Sequence, residues 1–456
     1  MTEQRNYIIE KFDKNGDYKG YEIDYVELVK YLKESDYIFY NDTPYHYDNG
    51  VYKSLTINEF CNSILPNNGT GKTVMEKQKI MERCFTTDLL AKSVDETGYI
   101  YFNNKRYKAD DAFIVNCKNC LVLTNKENGK IITSKHDKRN VFFQQINTNW
   151  NTEAKQNEYD KKYLNNIHKN GKENVQLLFE MLGSSIGRTC DKSIFNILGK
   201  ADSGKSTLIK VVQTLIGEDY VTNFNSKSIN EDSKEIHEML NAYVNIADDD
   251  DMNFSSNGIF LKRLSGGGAT IPFQVKFRKE PVKGIFKTKL IFTSNEMISI
   301  NFTTKDTEAL LKRLIILPLD VAVSNEDKVK DIDKKLNYEY WLFRSITALS
   351  SLIRNNFKYT ECANIEKFMI QDDFTEWFLN NVEATNDEND YVTTKDIYND
   401  YKDYCQDNVC ECMNERNFGT KLSKILNQKS SVKKIDGRSI RCYKGIKLHE
   451  ESIFEK

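Results

Sequence analysis

The run SIFNILGKADSGKSTLIKVVQTLIG, residues 193–217, constrains this chain more than any other. An apolar segment from Ile194 to Leu198 leads into Gly199, four intervening residues, then Gly204, Lys205 and Ser206, and an amphipathic pattern follows as far as Gly217. Strand, glycine-bounded loop and helix in that order are the context that a phosphate-binding Walker A loop demands. Glycines let backbone N–H groups converge on phosphates, and the helix amino end that follows favours an anion through its dipole. We therefore assign Gly199, Lys200, Ala201, Asp202, Ser203, Gly204, Lys205, Ser206 and Thr207 to binding of ATP or GTP, with Lys205 reaching the β- and γ-phosphates and the Ser206 hydroxyl ligating Mg²⁺.

A second run, Asn67-Asn68-Gly69-Thr70-Gly71-Lys72-Thr73, also ends in GKT but lacks this context. Pro66 stands where the first glycine is required, and the preceding INEFCNSIL reads as a helix, not a strand.

Hydrolysis needs one carboxylate near Mg²⁺ and one that orients or deprotonates the attacking water. About 40 residues beyond the loop, a short strand from Tyr243 to Ala247 ends in four aspartates, of which Asp248 and Asp249 are the candidates, Asp248 also as a metal ligand. A third strand, Lys289 to Thr293, ends in Ser294-Asn295-Glu296 and puts the Asn295 amide at the carboxyl edge of the sheet, where open α/β sheets bind ligands. Asn295 there would position the lytic water. In ALLKRLIILPLD, Lys312 and Arg313 precede an apolar strand ending at Pro318. Arg313 fits an arginine finger reaching a neighbouring subunit's ATP, and equally a surface or salt-bridged arginine.

Two segments point to nucleic acid. The stretch from Lys262 to Leu290 carries eight basic residues against Glu280 alone, and its strand-like VKF and GIF suggest a hairpin whose tip bears Arg278, Lys279 and Lys283 as DNA contacts. From Arg416 to Lys447 there are ten basic residues and one acid, Asp436. Helix, helix and hairpin in that order, with Asp436-Gly437 at the wing turn, suit a winged helix that grips duplex DNA or docks a protein.

The remaining chain is read more coarsely. Alternating apolar residues around Asp48-Asn49-Gly50 predict a hairpin, and FIVNCKNCLVLTNKENGKIITSKHD predicts two strands joined at Asn128-Gly129. The pattern NVQLLFEMLGSSIG predicts a helix from Val175. Charges nearly cancel, 65 basic against 67 acidic, so any polyanion-binding surface must be local. No apolar run reaches membrane-spanning length and MTEQRNYIIEKF has no apolar leader core, from which a cytoplasmic protein with no membrane partner is expected. The ten cysteines are then expected to be reduced thiols, and none of the five histidines is assigned as a ligand.

The ordered motifs GKADSGKST, NIADD, LKRLSGG, KLIFTSN and LLKRLIILPL resemble those of superfamily 3 AAA+ DNA helicases of the phage/plasmid primase and poxvirus primase-helicase type. FIVNCKNCLVL with SKHD is similar to the segment before the ATPase in that family, and YKGIKL to the end of its terminal wing, so the resemblance spans about residues 30–450. It implies an α/β chain: an AAA+ P-loop ATPase core with a parallel sheet, a small α+β N-terminal domain and a C-terminal winged helix. The expected divisions are residues 1–110 (accessory), 111–190 (collar before the ATPase), 191–320 (core), 321–365 (helical linker) and 366–456 (winged helix).

The resemblance further implies a homohexameric ring that hydrolyses ATP with Mg²⁺ while translocating 3′ to 5′ on single-stranded and forked DNA, with duplex origin DNA as a further partner of the wing. Position by position, Lys205 and Ser206 match the Walker A residues, Asp248 and Asp249 the Walker B pair, Asn295 the sensor, Arg313 the finger, and Arg278 with Lys279 the hairpin tip. Gly268 departs from the acid often found there, and the acids after NIA depart from the commoner glutamate form. With no primase motif before the motor, a replication helicase or initiator of a phage, plasmid or genomic island is expected. The competing class is a AAA+ initiator or loader switch that hydrolyses ATP without processive unwinding. A small-molecule kinase fits less well, because the chain carries a basic hairpin and a wing and no acceptor-binding lid.

Overall fold

The computed structural model describes residues 5–69, 72–226, 228–229, 236–248, 258–266, 270–273, 282–295, 312–324, 326, 328–362, 373–385, 387, 390–408, 410–426, 428–435 and 438–448 of the 456-residue chain. It divides into two compact units. The first comprises Met1–Gln156, Val212–Tyr220 and Asn337–Lys358, the second Asn157–Val211, Val221–Leu336 and Tyr359–Lys456.

In the first unit an antiparallel pair, Ile8–Phe12 with Tyr18–Ile23, precedes the helix Tyr25–Glu34, whose first turn is capped by Asp24. A three-stranded meander follows, Tyr37–Tyr40, Thr43–Asp48 and Val51–Ser54. Its expected turn is present: Asp48 pairs with Val51, and both Asn49 (φ 46) and Gly50 (φ 102) take positive φ, as the tightest hairpin turns require. Phe39, Phe60, Leu28 and Leu32 form the core beneath it. Around the GKT decoy, whose Gly71 lies outside the described residues, the helix Ile57–Ile64 comes before it and the Thr73 hydroxyl accepts from the Glu76 amide as the cap of Val74–Arg83.

The cysteine-bearing segment differs from expectation. It forms three strands, not two: Ala112–Asn116, Leu121–Asn125 and Ile131–Ser134. Cys117 and Cys120 close the first turn through a 3.0 Å backbone bond, while Asn128-Gly129 makes the second. A four-residue polar interruption was enough to reverse the chain. The helix Tyr338–Arg354 buries Trp341, Leu342 and Leu349 in the same unit.

The second unit holds a five-stranded, all-parallel sheet in the order Val221–Thr222, Val244–Ala247, Lys289–Ser294, Ile194–Leu198, Leu314–Pro318. Every residue of Ile194–Leu198 is buried, as expected of a strand covered on both faces. That double burial is why IFNIL, and LIF within Lys289–Ser294, show no polar alternation. The predicted helix before the core runs Lys172–Ile186, beginning one turn before its apolar periodicity.

The basic stretch contains an antiparallel pair, Thr270–Phe273 with Val282–Ile285. Lys283 pairs with Pro272 inside the second strand and so is not at a tip, a correction to the predicted hairpin; Arg278 and Lys279 lie outside the described residues. Toward the carboxyl end, helices Thr394–Asp407 and Glu415–Ile425 are followed by strands Ser431–Ile435 and Arg438–Lys444, with Tyr391–Thr393 completing a three-stranded sheet. Phe374, Trp377, Tyr401 and Phe418 form an aromatic core there, ring centroids 5.0–5.5 Å apart. The expected wing turn, Asp436-Gly437, lies outside the described residues.

Candidate nucleotide-binding site

Three of the parallel strands end side by side, and their carboxyl ends carry the candidate residues. The strand ending at Ser294 lies between the one ending at Leu198 and the one ending at Ala247, so the loop, the sensor and the acid stand in a row.

Backbone hydrogen bonds hold the loop against the sheet edge. Gly199 N–H donates to Ser294 O at 3.1 Å, and Leu319 N–H to Leu198 O at 2.6 Å. A Cβ on Gly199 would lie 1.9 Å from the Leu319 carbonyl oxygen, so no other residue fits. Asp202 (φ 62) and Gly204 (φ 95) turn the chain through the left-handed region before the helix Lys205–Ile216 begins. The Asp202 carbonyl accepts from Val323 N–H at 2.9 Å. The Ser203 hydroxyl is buried without a hydrogen-bond partner among the described residues, a polar atom left over inside the cradle.

Lys205 is almost fully buried, and its ammonium donates to the Gly199 carbonyl, to the Lys200 carbonyl at 2.9 Å and to Asn295 Oδ1 at 2.9 Å. Its charge is thus held by oxygens at the mouth of the loop, beside the helix amino end. Beyond the sensor strand, Asp248 Oδ1 accepts from the Thr293 hydroxyl at 2.6 Å, and Asp248 Oδ2 lies 3.5 Å from Ser206 Oγ. The Asp248 carboxylate is exposed, Thr293 fully buried. Ser206 and Asp248 therefore present two hard oxygen donors suited to Mg²⁺. Asp249 lies outside the described residues.

Thr293 escaped the sequence reading. Its only trace there is a hydroxyl at the end of the otherwise apolar KLIF, and only the strand order puts it against the acid. Beneath it, Asn196 donates to Ser294 Oγ at 3.1 Å, a buried polar pair that ties the loop strand to the sensor strand.

Arg313 is at the other end of the sheet. Its strand is parallel to the loop strand, with Leu314 opposite Ile194 and Pro318 opposite Leu198. One strand length of about 16 Å therefore separates it from the loop. Its guanidinium donates to the Lys262 carbonyl and to Ser265 Oγ at 2.9 Å, closing the last turn of the helix Gly258–Ser265, and burial lowers its pKa. Lys289, counted among the basic residues of the DNA-facing stretch, is buried instead. It pairs with Asp191 and donates to Thr189 O and Ser193 Oγ, both at 3.1 Å.

Comparison with known proteins adds the following. Residues 197–313 match a family described as "Family of unknown function (DUF5906)". Residues 372–451 match the family "Poxvirus D5 protein-like", which covers the C-terminal part of the resemblance drawn from the motifs. Among solved structures the chain is similar to "The A form apo structure of NrS-1 C terminal region-CTR", with TM-score 0.50 and 12% identity over 92% of this chain and 99% of that one. It is also similar to "The apo structure of NrS-1 C terminal region (305-718)", with TM-score 0.47, 12% identity and the same coverages. At such identities the likeness concerns the fold alone. No match was found among curated proteins.

Proposed function

We propose that this chain is an ATP-hydrolysing replication helicase of the superfamily 3 type, working as a ring on single-stranded and forked DNA. The observation that carries the reading is the row at the sheet's carboxyl edge: Lys205 in the loop donates to Asn295, just past the sensor strand, at 2.9 Å, and Thr293 on that strand donates to Asp248 at the end of the acid strand at 2.6 Å.

In this reading the γ-phosphate of ATP displaces the oxygens that now receive the Lys205 ammonium, and Lys205 follows the charge as it develops. Asn295, released from Lys205, orients a water against the γ-phosphorus. The water oxygen forms the new P–O bond, the bond to the bridging oxygen breaks, ADP leaves, and the water proton passes to a carboxylate. Asp248, engaged by Thr293 and facing Ser206, suits the metal side. That leaves proton acceptance to Asp249. Ser206 and Asp248 would hold Mg²⁺, which would supply neutralisation of the phosphate charge.

Arg313 lies too far from its own chain's loop to act there, so a catalytic role needs a neighbouring subunit's ATP. That requirement supports a ring with sites between subunits; the homohexamer and 3′ to 5′ polarity belong to the same proposal. Arg278, Lys279 and Lys283 would grip the translocated strand. The C-terminal helices and hairpin read as a winged helix for duplex origin DNA. A groove of about 900 Å³ there is lined by Arg416, Lys429 and Arg441 together with Thr420, Ser423 and Tyr443. A phage, plasmid or genomic island remains the proposed setting.

The test is strand displacement on forked DNA with ATP, comparing wild type, Lys205→Ala and Lys279→Ala. Unwinding lost in both, with ATP binding kept in Lys279→Ala, supports the motor. DNA-independent hydrolysis without displacement on any fork overturns it in favour of an initiator or loader switch. Unwinding that survives Lys205→Ala overturns the site itself.

A further inference from the structure

The first unit carries a second candidate contact for nucleic acid, on the hairpin Tyr99–Phe102 with Lys105–Lys108. Its register pairs Tyr99 with Lys108, Ile100 with Tyr107, Tyr101 with Arg106 and Phe102 with Lys105. Directly opposed residues share a face and successive residues alternate. Ile100 and Phe102 are buried in a core with Val94, Leu121 and Leu123, so the face bearing Tyr99, Tyr101, Arg106 and Lys108 points away from it.

That outward face is ordered by stacking. The Arg106 guanidinium lies over the Tyr99 ring at 3.8 Å, and the Arg139 guanidinium over the Tyr101 ring at 4.3 Å. Asn140 fixes the strand by exchanging two 2.7 Å bonds with the Tyr101 backbone. All four residues of Lys105–Lys108 are exposed, and Tyr99 and Tyr107 keep 39% and 45% of their surface in solvent. Arg139 is paired with Asp137, whereas Lys105, Arg106 and Lys108 form no ion pair among the described residues. The acids nearest in the chain are Asp110 and Asp111, on the turn that follows, and Asp95 and Glu96, on the turn before.

Exposed lysines on an edge strand also serve to prevent edge-to-edge pairing. That need is met by charge alone. It leaves unexplained two tyrosines set about 7 Å apart on one face, each beneath a guanidinium. Alternating π-faces and cations are what a single strand with splayed bases requires: rings and guanidinium planes for stacking, ammonium groups for phosphates. A duplex, whose bases are already stacked, would use only the charges.

We infer that the hairpin Tyr99–Lys108 is a stacking platform for single-stranded nucleic acid, separate from the nucleotide site and from the basic stretch of the second unit. The test uses the full chain without nucleotide, so it does not depend on the proposed hydrolysis. Binding to fluorescein-labelled oligothymidylate and to a blunt duplex is followed by anisotropy across a salt series.

Replacing Arg106 and Lys108 of that face, together with Lys105 beside the turn, by Gln is expected to lower the salt slope on oligothymidylate by about 1.4 for the two facing cations, weakening binding roughly twenty-fivefold at 0.1 M salt. Tyr99→Ala is expected to weaken it about fivefold or more with the slope unchanged, and to leave duplex binding as it was. Wild-type affinity and slope in the triple variant would overturn the platform and leave an edge guard. Equal loss of single-strand and duplex binding in Tyr99→Ala would overturn the stacking role. Should the triple variant fail to fold, as read by thermal unfolding, the exposed Tyr99→Ala decides alone.

Discussion

The Lys205 ammonium donates to Asn295 Oδ1 at 2.9 Å, joining the glycine-bounded loop to the end of the sensor strand. The two residues are 90 positions apart, and the contact arises because their strands are hydrogen-bonded neighbours, Leu198 opposite Ser294. In the proposed reading, a bound nucleotide would take the lysine from the amide and leave the amide to orient water.

Asn295→Ala is therefore expected to lower kcat for ATP hydrolysis on the order of a hundredfold with little change in nucleotide affinity, whereas Lys205→Ala loses both. Steady-state phosphate release alongside fluorescent-nucleotide titration separates the two effects. Equal loss of affinity in Asn295→Ala would remove it from the catalytic step.

Thr293 acts through Asp248. Thr293→Val keeps the shape of the buried side chain and removes the hydroxyl that Asp248 accepts from, so a loss of roughly tenfold to a hundredfold in apparent Mg²⁺ affinity is expected. Thr293→Ser should restore it. A magnesium titration of the ATPase rate reads the effect, and a valine variant with an unaltered magnesium requirement would show that the bond is only structural.

Arg313 has two testable roles. As a cap on the helix Gly258–Ser265, its loss in Arg313→Ala is expected to cost about 1–3 kcal/mol of stability. As a finger it acts in trans, so mixing inactive Arg313→Ala with inactive Lys205→Ala should restore part of the hydrolysis. In such mixtures some interfaces combine an intact loop with an intact arginine. No recovery on mixing, together with lowered thermal stability, would assign Arg313 to the cap alone.

The buried pair Asp191–Lys289 predicts a pH dependence. Burial pushes the Asp191 carboxyl upward, but the Lys289 ammonium and the hydroxyls of Tyr359 and Thr189 outweigh it and hold the pKa at about 2, below the ordinary 3.8. A depressed carboxyl pKa stabilises the fold above the unfolded value and loses that contribution as pH falls from about 3.8 toward 2. The shift corresponds to roughly 2 kcal/mol at neutral pH. Asp191→Asn should thus lower thermal stability at pH 7, with the difference narrowing in acid. Lys289→Met, which strands a buried carboxylate, is expected to cost about 3–5 kcal/mol. If Lys289→Met instead alters only the salt dependence of DNA binding, Lys289 faces DNA after all.

What could be read from the chain was local. The strand, loop and helix around Gly199 to Ser206 were legible because such a turn needs glycine at set spacings, and strand and helix periodicities flank it. Asp48-Asn49-Gly50 was legible for the same reason, since positive φ is available only to few residues. Cys117 to Cys120 misled because a turn without glycine has no comparable signature, and three strands looked like two.

The tertiary structure decided everything that depends on which strand lies beside which. Placing Lys289–Ser294 between the loop and acid strands brings Thr293 to Asp248 and Asn295 to Lys205, sends Arg313 to the opposite edge, and buries Lys289 against Asp191. Apolar strands carry little in their own residues that names their neighbours, because any of them buries the same kind of surface. Their order is set by the packing of the whole sheet. The conformation of the glycine-bounded loop was therefore determined by the sequence near it, and the residues set beside it by the fold.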